Sequence, residues 1–282
     1  MMKTPIRSIA LAVVSTCAFV GTAATSDAAC LPAPTALVEK GTLTVGTSLT
    51  APPMGFSKDG TPAGFEMDLL GAMSEKMCLK VAFVDLTFQG LFPGLMAKKF
   101  DTVASRVGIT PVRKEQFDFV PYFKGGLRLV TQKSSDVRFN TESDVCGHPV
   151  ALVSGTTQMA ALERVKSECP ADKPMVMKTF TNQIEALNEV AKKSVSAAYV
   201  DWPTAANVIQ ARPNDFIEAS PVLSGNGPGT PRNRNGFVIR KGEAGTLDAV
   251  SGAFDAVVAD GTYDKLMEKW NLADGDIRKT ND

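Results

Sequence analysis

The chain has 282 residues, of which 44% are hydrophobic and 21% charged, the composition of a folded protein that can bury a sizeable core. Its 30 basic and 30 acidic residues balance to a formal net charge of zero. This balance argues against nucleic acid or an anionic membrane surface as a partner, because both attract proteins with an excess of positive charge.

Residues 1–28 have the pattern of a secretory signal peptide. Lys3 and Arg7 precede an apolar run from Ile9 to Val20 that is too short to span a bilayer, and small residues follow it. We therefore predict cleavage after about residue 28. A lipid anchor on Cys30 is the alternative, disfavoured because Asp27 stands where a lipoprotein signal has an aliphatic residue. No later segment approaches the roughly 20 apolar residues of a membrane-spanning helix.

Export gives the cysteines a structural interpretation. Cys17 leaves with the signal, and an even number remains in an oxidising compartment, which favours disulfides: Cys30, Cys78, Cys146 and Cys169. Three pairings are open to four cysteines. Metal binding is the competing interpretation, but the sequence has no C-x-x-C motif, and His148 has no histidine partner.

Strands and helices alternate in the first half of the mature chain. Apolar runs at 43–47, 81–84 and 101–105 are predicted strands, and helical spacing follows from about 64 and from 88. This order predicts a parallel sheet covered by helices, with ligands bound beyond the carboxyl ends of the strands. The loop after the third strand carries Arg113, whose guanidinium could bind a carboxylate, although an ordinary surface arginine is the alternative.

The alternation begins again after a strand at 127–131. Strands are predicted at 149–153, 175–178 and 197–200, with helices at 157–169 and 182–192 between them, then a strand at 236–242 and a helix at 247–259. Thr156 and Thr157 open the first of these helices, where free N–H groups can hold an anion; a plain N-cap is the alternative. Asp201 directly ends a strand, a position also typical of a helix cap.

Five motifs in this order resemble the family 3 bacterial extracellular solute-binding proteins, the periplasmic receptors of polar amino acid ABC transporters. The motifs are GFEMDLL at 64–70, FQGLFPGL at 88–95, DTVASRVGITPVR at 101–113, GFVIRKG at 236–242 and DGTYDKL at 260–266. The resemblance covers about residues 36 to 272.

The resemblance implies an α/β fold of the periplasmic binding protein type, in which two α/β lobes with parallel-type sheets are joined by two hinge crossovers. Lobe 1 would comprise residues 36–128 and 237–275, and lobe 2 residues 132–224. The crossovers would lie at 129–131 and 225–236.

The implied function is periplasmic capture of an amino acid or related carboxylate and its delivery to an ABC transporter permease by closure of the cleft. We expect a monomer that uses no cofactor and makes or breaks no bond. An enzyme resembling cyclohexadienyl (prephenate or arogenate) dehydratases on the same fold is the alternative, although no Ser-His-Asp or Cys-His set supports it. A sensor domain is a third possibility.

The resemblance also implies a site on both walls of the cleft. Arg113 and the Gly108 backbone would bind the carboxylate of the ligand together with Thr156 and Thr157. Asp201 would bind its ammonium group. The ligand would thus be held as a zwitterion, and it would favour the closed arrangement because it touches both lobes.

Departures from the family limit the choice of ligand. Phe88 and Met54 are the candidate apolar contacts, but the segment 51–54 lacks the aromatic residue of many members. Arg106 stands where members have Gly or Ser. It either turns away and pairs with Glu66 or Asp68, or it enters the pocket and meets a second carboxylate of an acidic amino acid, an opine or a dicarboxylate.

The two implied lobes also suggest how the cysteines pair. Cys146 precedes the first strand of lobe 2, and Cys169 ends the helix after it. Cys30 and Cys78 stand in the same relation to lobe 1. We therefore predict Cys30–Cys78 and Cys146–Cys169, each within one lobe, so that closure is not obstructed.

Overall fold

A computed structural model describes residues 1–2, 29–227 and 229–279 of the chain. The predicted signal peptide lies outside these residues except for Met1 and Met2. Within the described ranges, no helix combines the length and the apolar character needed to cross a membrane.

Strands and helices alternate through most of the described residues. The strands are β1 (Thr42–Thr47), β2 (Thr50–Ala51), β3 (Gly55–Lys58), β4 (Thr61–Ala63), β5 (Lys80–Asp85), β6 (Thr102–Val103), β7 (Phe117–Lys124), β8 (Leu127–Gln132), β9 (Pro149–Val153), β10 (Val176–Phe180), β11 (Ala197–Asp201), β12 (Phe216–Glu218) and β13 (Arg234–Arg240). The helices are α1 (Phe65–Lys76), α2 (Phe88–Met96), α3 (Pro111–Gln116), α4 (Thr157–Glu168), α5 (Gln183–Ala191), α6 (Trp202–Ala211), α7 (Ala244–Ala259) and α8 (Thr262–Lys269). Short 3₁₀ helices cover Glu142–Val145 and Ala273–Gly275.

The first lobe is built on a five-stranded sheet with the order β5-β1-β6-β13-β7. β1 pairs in parallel with β5 and β6, whereas β13 runs antiparallel to β6 and β7. The buried carboxylate of Asp101 joins two of these strands, since it accepts hydrogen bonds from the Thr44 backbone N–H at 2.8 Å and hydroxyl at 2.6 Å. The predicted strand at 101–105 is shorter than expected, since only Thr102 and Val103 are paired in β6.

The second lobe repeats the plan with the order β10-β9-β11-β8-β12. β9, β10 and β11 are parallel, and β8 runs antiparallel to β11 and β12. The expected α/β fold of two lobes with parallel-type sheets is confirmed. As in the first lobe, the carboxyl ends of the parallel strands point towards the space between the lobes.

The chain passes between the lobes at two adjacent places. The first lies at Gly125 and Gly126, because β8 pairs along its length within the second sheet. Residues 129–131 of the first predicted crossover lie within β8, and residues 234–236 of the second lie within β13. The lobe boundaries otherwise stay predictions. A Cβ on Gly125 would lie 2.7 Å from Asn233 Oδ1, so only glycine lets the second crossover pass this closely.

The predicted disulfides are confirmed. Cys30 is bonded to Cys78, and Cys146 to Cys169, with Cα atoms 5.5 Å apart in both pairs. Each bond lies within one lobe. Neither therefore ties the two lobes together.

The sequence predictions missed a small antiparallel sheet formed by β2, β3 and β4. Its strands have two to four residues and include Pro62 and Gly55, which disfavour strands in isolation. α1 begins two residues after the end of β4, and it contacts β3 and β4 of this sheet.

Candidate functional site

A narrow cavity, partly open to solvent, lies between the lobes at the carboxyl ends of the parallel strands. Seven of the eight predicted ligand-binding residues line it: Phe88, Arg106, Gly108, Arg113, Thr156, Thr157 and Asp201. Met54 does not.

Arg113 is held in the cleft by both lobes. It is the third residue of α3, not part of a loop as predicted, and its pKa is lowered to about 10 by burial, so it stays charged at neutral pH. Nη1 donates to the Gly108 carbonyl at 2.7 Å, and Nη2 to the Gly155 carbonyl of lobe 2 at 3.1 Å. The guanidinium lies over the rings of Phe88 and Phe92, at 5.8 and 5.1 Å. Phe88 thus supports Arg113 as well as lining the cavity.

Thr156 and Thr157 begin α4 where it faces lobe 1. Thr156 is the N-cap, and its Oγ1 accepts from Met159 N at 3.4 Å and donates to the Val153 carbonyl at 2.7 Å. A Cβ on Gly108 would lie 2.8 Å from Thr157 Cγ2, so the absence of a side chain there allows the lobes to approach. Of the first N–H groups of α4, that of Met159 donates to Thr156, and those of Thr157 and Gln158, which have no carbonyl partner within the helix, are available to an anion.

Asp201 ends β11, and its carboxylate is occupied by side chains of the protein. Oδ1 accepts from Gln158 Nε2 at 3.1 Å. Oδ2 accepts from Gln183 Nε2 at 2.5 Å and from Arg106 Nε at 3.1 Å. Asp201 occupies the N-cap position of α6, but its side chain makes no capping hydrogen bond. Its predicted contact with a ligand ammonium stays a prediction.

Arg106 combines the two arrangements that the sequence left open. It lines the cavity beside Asp201, and its Nη1 also lies 4.0 Å from Glu66 Oε2. Its backbone has φ of 52°, N–H donates to Glu66 Oε1 at 2.7 Å, and the carbonyl accepts from Asn235 Nδ2 at 2.5 Å. Asp68 is not its partner.

Glu66 lies behind Arg106, fully buried. Its Oε1 accepts hydrogen bonds from the Arg106 backbone and from the Tyr122 hydroxyl. Burial raises the pKa of this carboxyl above its ordinary value, although Arg106 opposes the shift. Asp68 instead lies on the outside of α1, where it accepts from Lys269 Nζ at 2.8 Å.

The prediction that Met54 contacts the ligand is corrected. Its side chain is fully buried in the core of lobe 1, with Phe65 and Leu69 in the same cluster. The Met54 carbonyl accepts from Glu66 N at 2.9 Å at the start of α1, which holds the residue against the helix.

Several residues that line the cavity were missed: Ser48, Thr50, Ser105, Val153, Gln158, Thr181, Asn182 and Gln183. Most follow the carboxyl ends of β1, β6 and β10, so the strand-end rule for open α/β sheets could have identified them. They add hydroxyl and amide groups to the walls. No cluster of three or more His, Cys, Asp or Glu side chains suited to a metal ion occurs in the described part of the chain.

Comparisons with known proteins agree with this geometry. The profile of the bacterial extracellular solute-binding proteins, family 3, matches residues 43–273. The L-cystine-binding protein TcyJ of Escherichia coli K12 is 27% identical over 84% of this chain and 85% of its own length. The histidine-binding periplasmic protein of the same strain is 29% identical, over 80% and 86%. The ancestral amino acid-binding protein AncCDT-1, a precursor of cyclohexadienyl dehydratase, superposes with a TM-score of 0.71 at 32% identity, over 82% and 95%.

Proposed function

This chain belongs to the bacterial extracellular solute-binding proteins, family 3, and on that premise we propose that it captures an amino acid or related carboxylate and delivers it to an ABC transporter permease. The observation that carries the proposal is the position of Arg113, a charged guanidinium in the cavity between the lobes. It retains donors that can bind a carboxylate after its two backbone contacts are counted.

Binding and closure are coupled in this proposal. Arg113 reaches from lobe 1 to the Gly155 carbonyl, and Gln89 Nε2 donates to the Ser154 carbonyl at 3.0 Å. A solute between Arg113 and the N-terminus of α4 touches both lobes, so it stabilises the closed arrangement over the open one. The permease would then distinguish loaded from empty protein by the closed shape.

The cellular setting belongs to the same proposal. The pattern of residues 1–28 supports export, and one curated relative is named as a periplasmic protein. We place the mature chain in the periplasm as a monomer. Its partner there is the membrane permease.

The dehydratase alternative needs an acid or base that touches the solute. Glu66 has the raised pKa that such a group requires, but it is fully buried and does not line the cavity. The curated relatives compared above are named as binding proteins. Capture without chemistry is therefore the better-supported function.

A thermal-shift screen of the purified protein against amino acids and dicarboxylates tests the proposal. A ligand at a hundred times its Kd adds about 2.7 kcal/mol to the free energy of unfolding, which is easily detected. In Arg113→Met the shift should disappear, because the carboxylate loses its buried partner, at a cost of about 3–5 kcal/mol. Arg212→Met, which removes an exposed guanidinium, should keep it. An unchanged shift in Arg113→Met would contradict the proposal.

A further inference from the structure

Asp201, the residue expected to bind a ligand ammonium, has little capacity left for one. Three side-chain donors already contact its two oxygens: Gln158, Gln183 and Arg106. Among the described residues that line the cavity, Asp201 is also the sole carboxylate. An incoming ammonium would have to share this carboxylate with a guanidinium.

Arg106 makes such sharing unfavourable. Its Nε lies 3.1 Å from Asp201 Oδ2, so an ammonium bound to the same oxygen would lie within about 6 Å of Nε. The Arg106 side chain is only 7% exposed, which leaves little water to screen the repulsion. Arg106 thus already supplies, beside Asp201, the positive charge that the ammonium group of an amino acid would otherwise supply.

The guanidinium is also fixed in place and has donors to spare. The contacts of its backbone with Glu66 and Asn235 hold the residue in its turn. Nη1 is buried and lies 4.0 Å from Glu66 Oε2, whereas no hydrogen bond from Nη2 to a residue that the structure describes is present. A carboxylate placed beside Arg106 in the cavity would satisfy the N–H groups of Nη2.

The charges facing the cavity therefore favour an anion. Two guanidiniums, Arg106 and Arg113, face it against the single carboxylate of Asp201, which Arg106 already neutralises. We propose that the solute is a dicarboxylate without an α-ammonium group, an inference that rests on the proposed function. One carboxylate is bound by Arg113 and the N-terminus of α4, and the other by Arg106.

Pairs of compounds that differ only in the amino group test this inference by calorimetry on the purified protein. The pairs are succinate and aspartate, glutarate and glutamate, and adipate and 2-aminoadipate, with glutamine as a neutral amino acid. In at least one pair the dicarboxylate should bind at least tenfold more tightly than its amino counterpart, and more tightly than glutamine. Tighter binding of the amino compounds would overturn the inference and leave solute capture standing. If the protein binds neither the dicarboxylates nor the amino compounds, the inference is also overturned. Whether the protein captures any solute is tested separately by the thermal-shift screen and Arg113→Met.

Arg106→Gly should reverse the preference. Glycine adopts the positive φ of 52° without strain, and the substitution removes the positive charge from Asp201 Oδ2, which then accepts from Gln183 alone. We expect at least a tenfold loss of dicarboxylate affinity and at least a tenfold gain for the amino counterpart. Arg212→Gln, at an exposed ion pair, should change neither. A folded Arg106→Gly protein with the parental preference would overturn the inference.

Asp201→Asn provides a second measurement should Arg106→Gly fail to fold. The amide oxygen still accepts from Arg106, while the negative charge disappears. Dicarboxylate affinity should rise, because the negative charge that faces the anionic solute is removed. A tenfold or greater loss would mean that Asp201 binds a positive group of the solute, contrary to the inference.

Discussion

Glu66 makes the stability of the protein depend on pH. Burial raises the pKa of its carboxyl in the folded state above 4.5, the ordinary value for glutamate. Above about pH 4.5 the unfolded chain therefore releases a proton that the folded protein retains. The favourable contribution of the protonated carboxyl is complete below the unfolded pKa and is lost as pH rises towards the folded one.

Glu66→Gln should remove this dependence. The amide oxygen can accept the same hydrogen bonds from the Arg106 backbone and the Tyr122 hydroxyl. Urea unfolding at pH 5 and pH 7 should show a smaller fall in the free energy of unfolding for the variant than for the parent. Glu268→Gln, at an exposed position, serves as the control and should retain the parental fall. An equal fall in Glu66→Gln would mean that Glu66 is ionised in the folded protein.

At the scale of elements, the start of α1 depends on glycine. Gly64 has φ of 125°, and a Cβ there would lie 2.4 Å from the Met54 carbonyl oxygen. Both the backbone conformation and the close approach exclude a side chain. The Met54 backbone can lie this close to Gly64 because the glycine has no side chain, and the Met54 side chain is buried in the core of lobe 1.

Gly64→Ala should lower the free energy of unfolding by about 2 kcal/mol or more, because the backbone must move. Gly71→Ala in the same helix is the matched control, since no atom lies within 4 Å of its added Cβ. It should raise the free energy of unfolding by about 0.5–1 kcal/mol. Chemical denaturation of both variants measures the difference. Similar stabilities would show that α1 can begin without the glycine.

For the whole molecule, the disulfides stabilise the lobes without limiting their relative motion. Each closes a loop inside one lobe, with sequence separations of 48 and 23 residues. Chain entropy predicts a contribution to stability of about 4 and 3 kcal/mol respectively.

Replacing Cys146 and Cys169 with alanine should therefore lower the free energy of unfolding by about 3 kcal/mol. Solute affinity should be unchanged, because neither cysteine lines the cavity. Denaturation and calorimetry on one preparation test both statements. A large loss of affinity without loss of stability would mean that the bond acts on the cleft.

The two-lobe fold, the order of most strands and helices, the family and the disulfide pairing could all be predicted from the amino-acid sequence. Apolar periodicity reports which faces are buried, and the family motifs are local, so neither requires knowledge of distant contacts. The sequence also placed Thr156 and Thr157 at the start of a helix and Asp201 at the end of a strand, as the structure has them, whereas Arg113 lies in α3 and not in the predicted loop. Their roles towards a solute stay predictions.

The contacts of these side chains could not be predicted from the sequence, because they depend on how the lobes fold. Arg106 and Asp201 are 95 residues apart in the chain, and their contact requires both lobes. The burial of Met54 and the crossing at Gly125 likewise depend on packing between segments distant in sequence. Local patterns specify elements, whereas the partner of a buried charge depends on which elements fold against one another.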